Sequence, residues 1–202
     1  MINQPELFAE TSSNAVPVPI IQGMTYAPDF LSPSEQEAVL REIDQQPWRN
    51  DLKRRVQHYG YRYDYKARRV DPSMYLGPLP ALAMPVVNKL VERSLFSHVP
   101  DQLIVNEYLP GQGITAHVDC EPCFAGAIAM VSLGWAYEMD FIHSRTREVR
   151  TVLLATGSAL VISGEARYDW LHQIKARRSD RGIQRRRRVS LTFRNIVLGG
   201  TK

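Results

Sequence analysis

The stretch LIVNEYLPGQGITAHVDCEPC, residues 103–123, joins a short β-rich run to a glycine turn, a His-x-Asp triplet and two cysteines. Residues i and i+2 of a strand point to the same side, so we expect His117 and Asp119 to project together. Cys120 is then expected to point away. Three chemistries compete for these residues: a zinc site that uses the cysteines, a redox Cys-x-x-C pair, and an iron site that uses the His and Asp. Zinc is disfavoured because Cys120 and Cys123 have no obvious fourth ligand nearby.

The sequence beyond Pro100 is a series of short β-rich runs, separated by glycine, proline and charged turns. These runs are LIVNEY, IAMVSLG, AYEMDFI, VRTVLL, SALVISG and RVSLTFRNIVL. Short strands without intervening helices favour a sandwich or jelly roll over a parallel α/β sheet. We therefore expect one compact domain with a flexible tail over residues 1–15, a helical region over 16–100 and a β core over 101–198.

Two helices are predicted before the β-rich half. Ser32 is the expected N-cap of a helix from Pro33 to about Gln46, because Glu35 completes a capping box. A second helix is predicted from Pro85 to Phe96. The predicted fold class is therefore α+β, mainly β.

Composition restricts the protein to a few classes. At 202 residues and 44% hydrophobic, the chain is long and apolar enough for a well-packed domain. It contains no apolar run of about 18 residues, and its acidic N-terminus is unlike a secretory signal. We therefore expect a soluble, cytoplasmic protein without membrane contact. Two cysteines provide no disulfide framework, which is typical of a reducing compartment.

The positive charge is concentrated in one segment. Lys175–Arg188 contains eight Lys or Arg and one Asp, or +7, so the rest of the chain carries −3 of the net +4. Such a run usually forms a solvated loop. A compact basic segment also makes an anionic partner such as nucleic acid plausible.

The last β-rich run has one polar and one apolar face. Its polar face carries Arg188, Ser190, Thr192 and Arg194, and its apolar face carries Val189, Leu191 and Phe193. Asn106 and Tyr108 show the same parity in an earlier run. If the apolar faces meet the scaffold, the polar faces line a pocket suited to a small dicarboxylate. The alternative is that all of these polar residues lie on the surface.

Several motifs together resemble one enzyme family. His117-x-Asp119, a distal His172 in RYDWLHQI, and Arg188 followed by Arg194 resemble the AlkB family of Fe(II)/2-oxoglutarate-dependent dioxygenases. The motifs NEYLPGQGI, SLG, GEARY and SLTFR strengthen the match. The resemblance implies a double-stranded β-helix, or jelly roll, that uses Fe(II), 2-oxoglutarate and O₂.

The resemblance also implies the roles of individual residues. The catalytic metal ligands would be His117, Asp119 and His172. Arg188 would pair with the distal carboxylate of 2-oxoglutarate, with Tyr108 beside it. Asn106 and Arg194 would lie near the end of the co-substrate that chelates the metal, and the cysteines would be bystanders.

The function implied by the family is oxidative demethylation of alkylated nucleobases in DNA or RNA, with release of formaldehyde, succinate and CO₂. YLPGQGI, SLG and GEARY are similar to AlkB homologues that hydroxylate a modified wobble uridine, so a tRNA-modifying hydroxylase is an alternative. A non-catalytic nucleic-acid-binding cupin is another.

Candidate substrate residues come from a tyrosine-rich segment and from the metal loop. A flipped-out base would need aromatic stacking, and Tyr61, Arg62 and Tyr63 are the candidates for a nucleotide-recognition lid. The alternative is that these tyrosines pack on the barrel. Glu121 matches an acidic position that helps select the base in similar proteins.

The N-terminal tail contains QPELF at Gln4–Phe8, which resembles the peptides by which bacterial repair proteins dock on the replication sliding clamp. Two adjacent apolar anchors, Leu7 and Phe8, could enter a preformed pocket. The alternative is that they pack back onto the domain.

Overall fold

The computed structural model describes residues 18–50 and 52–199 of the chain. Antiparallel strands dominate this part and assemble into two packed sheets. The strands are β1 (Met24–Ala27), β2 (Val56–Tyr59), β3 (Gln102–Tyr108), β4 (Ile114–His117), β5 (Phe124–Leu133), β6 (Tyr137–His143), β7 (Val149–Leu154), β8 (Ala159–Ile162), β9 (Trp170–Ile174), β10 (Ser179–Asp180), β11 (Ile183–Gln184) and β12 (Arg188–Ile196). This arrangement is the predicted jelly roll.

The two sheets differ in size and in the part of the chain that builds them. The major sheet has the order β1-β8-β5-β12-β3-β2, and the minor sheet has the order β4-β9-β6-β7. Strands β10 and β11 form a separate hairpin. Because β1 and β2 are the edge strands of the major sheet, the region before Pro100 contributes strands as well as helices.

The first helix, α1 (Pro33–Asp44), begins as its sequence predicts. The Ser32 side chain accepts a hydrogen bond from the Glu35 amide at 3.3 Å, and the Glu35 carboxylate accepts one from the Ser32 amide at 2.7 Å. Each of these two side chains therefore satisfies a backbone N–H group at the start of the helix. The helix ends two residues before the predicted Gln46.

Two other helices differ from expectation. Helix α2 (Met84–Glu92) ends four residues before the predicted Phe96, because Ser94 adopts a left-handed conformation with φ of 54° that an α-helix cannot continue. A short helix, α3 (Gly164–Tyr168), lies inside the half that was expected to contain strands only.

The apolar residues form two main clusters, one on each face of the major sheet. The cluster between the major sheet and the helices includes Val39, Ile43, Val87, Leu90, Leu103, Val131, Val189, Leu191 and Phe193. The cluster between the sheets includes Ile128, Met130, Leu160, Tyr137, Phe141, Val152 and Trp170. The major sheet is therefore covered on both faces.

The basic run Lys175–Arg188 is only partly the expected solvated loop: Lys175, Arg178, Arg181 and Arg186 are exposed, whereas Arg185 and Arg188 are buried in the domain. Arg185 is 2% exposed, and its Nε lies 2.6 Å from Asp180 Oδ2. Arg187 Nε lies 2.6 Å from Glu107 Oε1. Because Asp180 and Glu107 pair with Arg185 and Arg187, these two cations add less positive surface than their number in the sequence indicates.

No helix within residues 18–50 and 52–199 is long and apolar enough to cross a membrane. The predicted tail and the clamp-like peptide Gln4–Phe8 lie outside the described residues, so the clamp interaction stays a prediction.

Candidate active site

The three predicted ligands meet at one end of the minor sheet. His117 is the last residue of β4 and pairs in register with His172 of β9, and Asp119 follows two residues later. One ligand atom from each of the three side chains lies within 4.8 Å of the others. Two imidazoles and one carboxylate at this spacing match the facial triad of non-haem iron sites.

The protonation states of the triad suit metal binding. Burial opposes ionisation of Asp119, but Arg194 and the two imidazoles outweigh it and lower the pKa of Asp119 to about 2. Burial also lowers the pKa of His172 to about 4, so its imidazole is neutral at neutral pH. His117 Nδ1 donates a hydrogen bond to the Thr115 carbonyl oxygen at 2.8 Å, which leaves Nε2 free to bind a metal.

Arg194 connects the triad to the major sheet. Its Nη2 donates to Asp119 Oδ1 at 2.6 Å, and its guanidinium lies 4.7 Å above the Phe124 ring. One oxygen of Asp119 is thereby held by the arginine while the other, Oδ2, lies 3.6 Å from His172 Nε2. Arg194 therefore lies at the end of the cavity that contains the triad, and its role beside the co-substrate stays a prediction.

Arg188 is a buried cation with unused hydrogen-bond donors. It is 1% exposed, and its Nη2 donates to Ser132 Oγ at 2.8 Å. Within the described chain, its Nε and Nη1 are buried without a hydrogen-bond partner. Burial lowers the pKa of Arg188 to about 10, so the side chain stays charged at neutral pH. A buried, protonated fork with two vacant donors fits a carboxylate ligand.

The polar residues that alternate along β3 and β12 line the rest of the pocket. A cavity of about 340 Å³ is lined by Asn106, Tyr108, Arg188, Ser190, Thr192 and Arg194, as well as by the triad. The Tyr108 ring lies 5.4 Å from the guanidinium carbon of Arg188. Since the alternate residues Val189, Leu191 and Phe193 are buried in the core, the surface alternative is wrong.

Sequence reasoning missed two arginines that line the same cavity. Arg54 donates from Nε to Asn106 Oδ1 at 2.9 Å. Arg68 comes from the loop formed by residues 60–76, which we call the 60–76 loop, and Tyr65 of this loop also lines the cavity. Neither arginine lies in a periodic pattern, so the sequence offered no signal beyond the density of tyrosine and basic residues in this segment.

The predicted substrate residues do not all reach the cavity. Tyr63 lines it, and its ring lies 5.4 Å from the Phe124 ring. Tyr61 instead packs against Tyr75 with 5.0 Å between ring centroids, and Arg62 lines a neighbouring cavity of about 420 Å³ together with Tyr63. Glu121 is exposed and is absent from the described lining, so its role in base selection stays a prediction.

The two cysteines are bonded to each other, and Cys120 differs from expectation in its direction. Cys120 and Cys123 form a disulfide across the turn between β4 and β5, with Cα atoms 5.3 Å apart. Cys120 also lines the cavity that holds the triad. Its predicted outward direction was wrong because β4 ends at His117, so strand alternation does not extend to residue 120.

Several known proteins are similar to this chain in sequence or in fold. The 2OG-Fe(II) oxygenase superfamily matches residues 23–194. The chain is 40% identical over 163 residues to the Xenopus tropicalis tRNA (carboxymethyluridine(34)-5-O)-methyltransferase alkbh8, covering 78% of this chain and 26% of that protein. It is 33% identical over 225 residues to the Arabidopsis thaliana Alkylated DNA repair protein ALKBH8 homolog, covering 95% of this chain and 65% of that protein. The chain thus spans about a quarter of the first relative and less than two thirds of the second.

The solved structure of OsALKBH1 has the same fold, with a TM-score of 0.65 at 19% identity, covering 89% of this chain and 100% of that one. Because the superfamily match spans most of the sequence and the two ALKBH8 relatives are 33% and 40% identical, the chain belongs to the AlkB family of Fe(II)/2-oxoglutarate-dependent dioxygenases, and its cofactors are Fe(II), 2-oxoglutarate and O₂.

Proposed function

We propose that this dioxygenase hydroxylates a C–H bond in a substituent of a nucleobase, and that its substrate is a modified uridine in tRNA. Bound iron supplies the oxidation, which converts 2-oxoglutarate and O₂ to succinate and CO₂ as the C–H bond is hydroxylated. The protein's own side chains bind the metal, orient the co-substrate and hold the base. Membership of an enzyme family argues against a non-catalytic cupin.

The proposed metal ligands are His117, Asp119 and His172. In the metal-free protein Asp119 is ionised and His172 is neutral at neutral pH, so neither side chain has to lose a proton when the metal binds. The bond from Arg194 to Asp119 fixes the carboxylate and leaves its second oxygen directed at the imidazole of His172.

The observation that carries the co-substrate part of the proposal is the pair of unpartnered donors on Arg188, buried in the same cavity as the triad. The tRNA substrate is inferred from the relatives named for carboxymethyluridine(34) of tRNA. We assign them to the distal carboxylate of 2-oxoglutarate, with the Tyr108 ring against the guanidinium. Asn106, held by Arg54, would then lie beside the co-substrate on its way to the metal. A dicarboxylate is suited to a cavity with a cation at one end and a metal site at the other.

The 60–76 loop is the proposed lid over the base. It places Tyr63, Tyr65 and Arg68 on the cavity that contains the triad. A base stacked on the rings of Tyr63 or Tyr65 would gain roughly 1–3 kcal/mol, which offsets the cost of unstacking it from its neighbours. Arg62 and Lys66 on the same loop are exposed and can meet phosphates.

A nucleoside assay tests the proposal. Transfer RNA that retains its wobble-uridine modifications is incubated with the protein, Fe(II) and 2-oxoglutarate, and then digested to nucleosides for mass spectrometry. We expect a uridine derivative that has gained one oxygen, in an amount equal to the succinate formed above background. Succinate without any oxidised nucleoside would contradict the proposal.

Oxidative demethylation is the second candidate, favoured by the Arabidopsis relative that is named an alkylated DNA repair protein. The same active site serves both reactions, because a hydroxylated N-methyl group leaves as formaldehyde whereas a hydroxylated C-linked substituent remains. Formaldehyde released from N-methylated DNA or RNA oligonucleotides, with no oxidised uridine in tRNA, would establish demethylation instead.

A further inference from the structure

The two cysteine sulfurs converge on a single backbone oxygen of the 60–76 loop. Cys120 Sγ lies 3.2 Å and Cys123 Sγ 3.3 Å from the carbonyl oxygen of Arg68. A carbonyl oxygen has two lone pairs and accepts two hydrogen bonds. These distances belong to the disulfide, whose sulfurs carry no hydrogen. After reduction, each cysteine could donate its S–H to this oxygen.

The sulfur pair lies between the metal site and the loop. Cys120 directly follows Asp119 and lines the cavity, while Cys123 directly precedes Phe124 of β5. Both cysteines are only 4% exposed and pack with Phe124, Tyr63 and Val70. An oxidant in the active-site cavity would thus meet Cys120 first, with Cys123 beside it to complete a disulfide.

We propose that Cys120 and Cys123 are a reversible redox modification site that controls how firmly the 60–76 loop is held over the active site. A peroxide is the oxidant: two S–H bonds and the O–O bond break, one S–S bond forms, and two electrons pass from sulfur to oxygen. With hydrogen peroxide, the two thiol protons end in two water molecules. A thiol reductant reverses the step by disulfide exchange.

Oxidation changes the loop because a disulfide has no hydrogen to donate. In the disulfide form that the structure shows, both sulfurs contact the Arg68 carbonyl oxygen without a hydrogen between them, and Tyr63 and Val70 make apolar contacts with the sulfur pair. Reduction would give each sulfur an S–H donor at this oxygen, so the dithiol form would hold Arg68 by two additional hydrogen bonds. The disulfide form keeps the apolar contacts but loses both hydrogen bonds. The loop is therefore held more weakly after oxidation, and the active site opens more often.

Limited trypsin digestion of the full, iron-free chain measures this directly, without reference to activity. The 60–76 loop carries exposed cleavage sites at Arg62, Lys66, Arg68 and Arg69. The exposed turn at Arg147, between β6 and β7, provides an internal reference in the same molecule. We expect the loop to be cut about fivefold faster relative to Arg147 after peroxide treatment, and the original rate to return with a thiol reductant.

Two double variants separate hydrogen bonding from packing. Cys120→Ser with Cys123→Ser retains two donors that cannot form a disulfide, so its loop should be cut at the reduced rate with or without peroxide. Cys120→Ala with Cys123→Ala has no donors and should be cut at the oxidised rate under both conditions. Circular dichroism confirms that each variant is folded.

Mass spectrometry of the same samples follows the loss of the two thiol hydrogens. Peroxide that fails to produce the disulfide would overturn the proposal. Equal loop cleavage in the dithiol and disulfide forms would also overturn it, as would a peroxide response in the serine variant.

Discussion

Replacement of Arg188 by methionine tests the assignment of the co-substrate pocket most directly. The guanidinium contributes two vacant, charge-assisted donors in a buried site. A hydrogen bond to a charged group is worth about 1.5–3 kcal/mol, so the loss of both should cost at least about 3 kcal/mol of 2-oxoglutarate binding. Since each 1.4 kcal/mol is about a factor of ten, we expect the 2-oxoglutarate requirement to rise by roughly 150-fold.

The same substitution should not weaken the protein in the absence of co-substrate. A buried cation without an anionic partner is costly, and a methionine of similar length removes that cost while filling the space. We therefore expect the Arg188→Met variant to melt at or above the wild-type temperature. This outcome distinguishes a ligand-binding arginine from a structural one.

The assay is thermal unfolding with Mn²⁺ in the metal site and increasing 2-oxoglutarate. At 100 times its Kd, a ligand stabilises by about 2.7 kcal/mol, or about 5–10 °C for a domain of this size. Arg186→Met is the matched control, because Arg186 is exposed and stacks 4.8 Å above Trp135, away from the cavity lining. An undiminished thermal shift in Arg188→Met would refute the assignment of the pocket.

Three further substitutions test other parts of the structure. His172→Ala should abolish iron-dependent succinate formation while circular dichroism stays native, because Nδ1 of His172 has no hydrogen-bond partner within the described chain; iron-dependent turnover would remove it from the ligand set. Arg185→Gln should lower the free energy of unfolding in urea by about 1.5–3 kcal/mol, because it removes the charge-assisted hydrogen bonds of Arg185 to the buried Asp180, which retains its ion pair with Arg177, whereas Arg186→Gln should change it by less than about 0.5 kcal/mol. Tyr63→Ala should weaken nucleic-acid binding about 10- to 100-fold in fluorescence anisotropy, and unchanged affinity would place the base elsewhere.

Local periodicity predicted strand β12, which contributes arginines to the cavity and apolar side chains to the core. Strand β12 alternates strictly, so Arg188 and Arg194 reach the cavity while Val189 and Leu191 enter the core. Such alternation depends only on neighbouring residues, as does the capping box that begins α1. Both features were therefore visible in the sequence alone.

Some parts of the site could not be predicted from the sequence, because they depend on a turn in the chain or on contacts between residues far apart in sequence. Arg54 reaches Asn106 across 52 positions, and Arg68 enters the cavity from a loop without any periodic pattern. Cys120 faces the cavity because the strand ends before it and the turn redirects the chain. A period of two residues cannot predict a direction beyond the end of its strand.

Ion pairs within the basic run change where a nucleic-acid-binding surface is expected. Arg187 pairs with Asp44, 143 positions away, and Arg185 pairs with Asp180 in the interior. These cations are neutralised by acids, so they have little capacity to release counterions from a nucleic acid. The exposed cations of the 60–76 loop lie beside the active-site cavity instead, at Arg62, Lys66, Arg68 and Arg69. The salt dependence of nucleic-acid binding should therefore follow charge in this loop, and the same loop would determine both affinity for the backbone and access of the base to the metal.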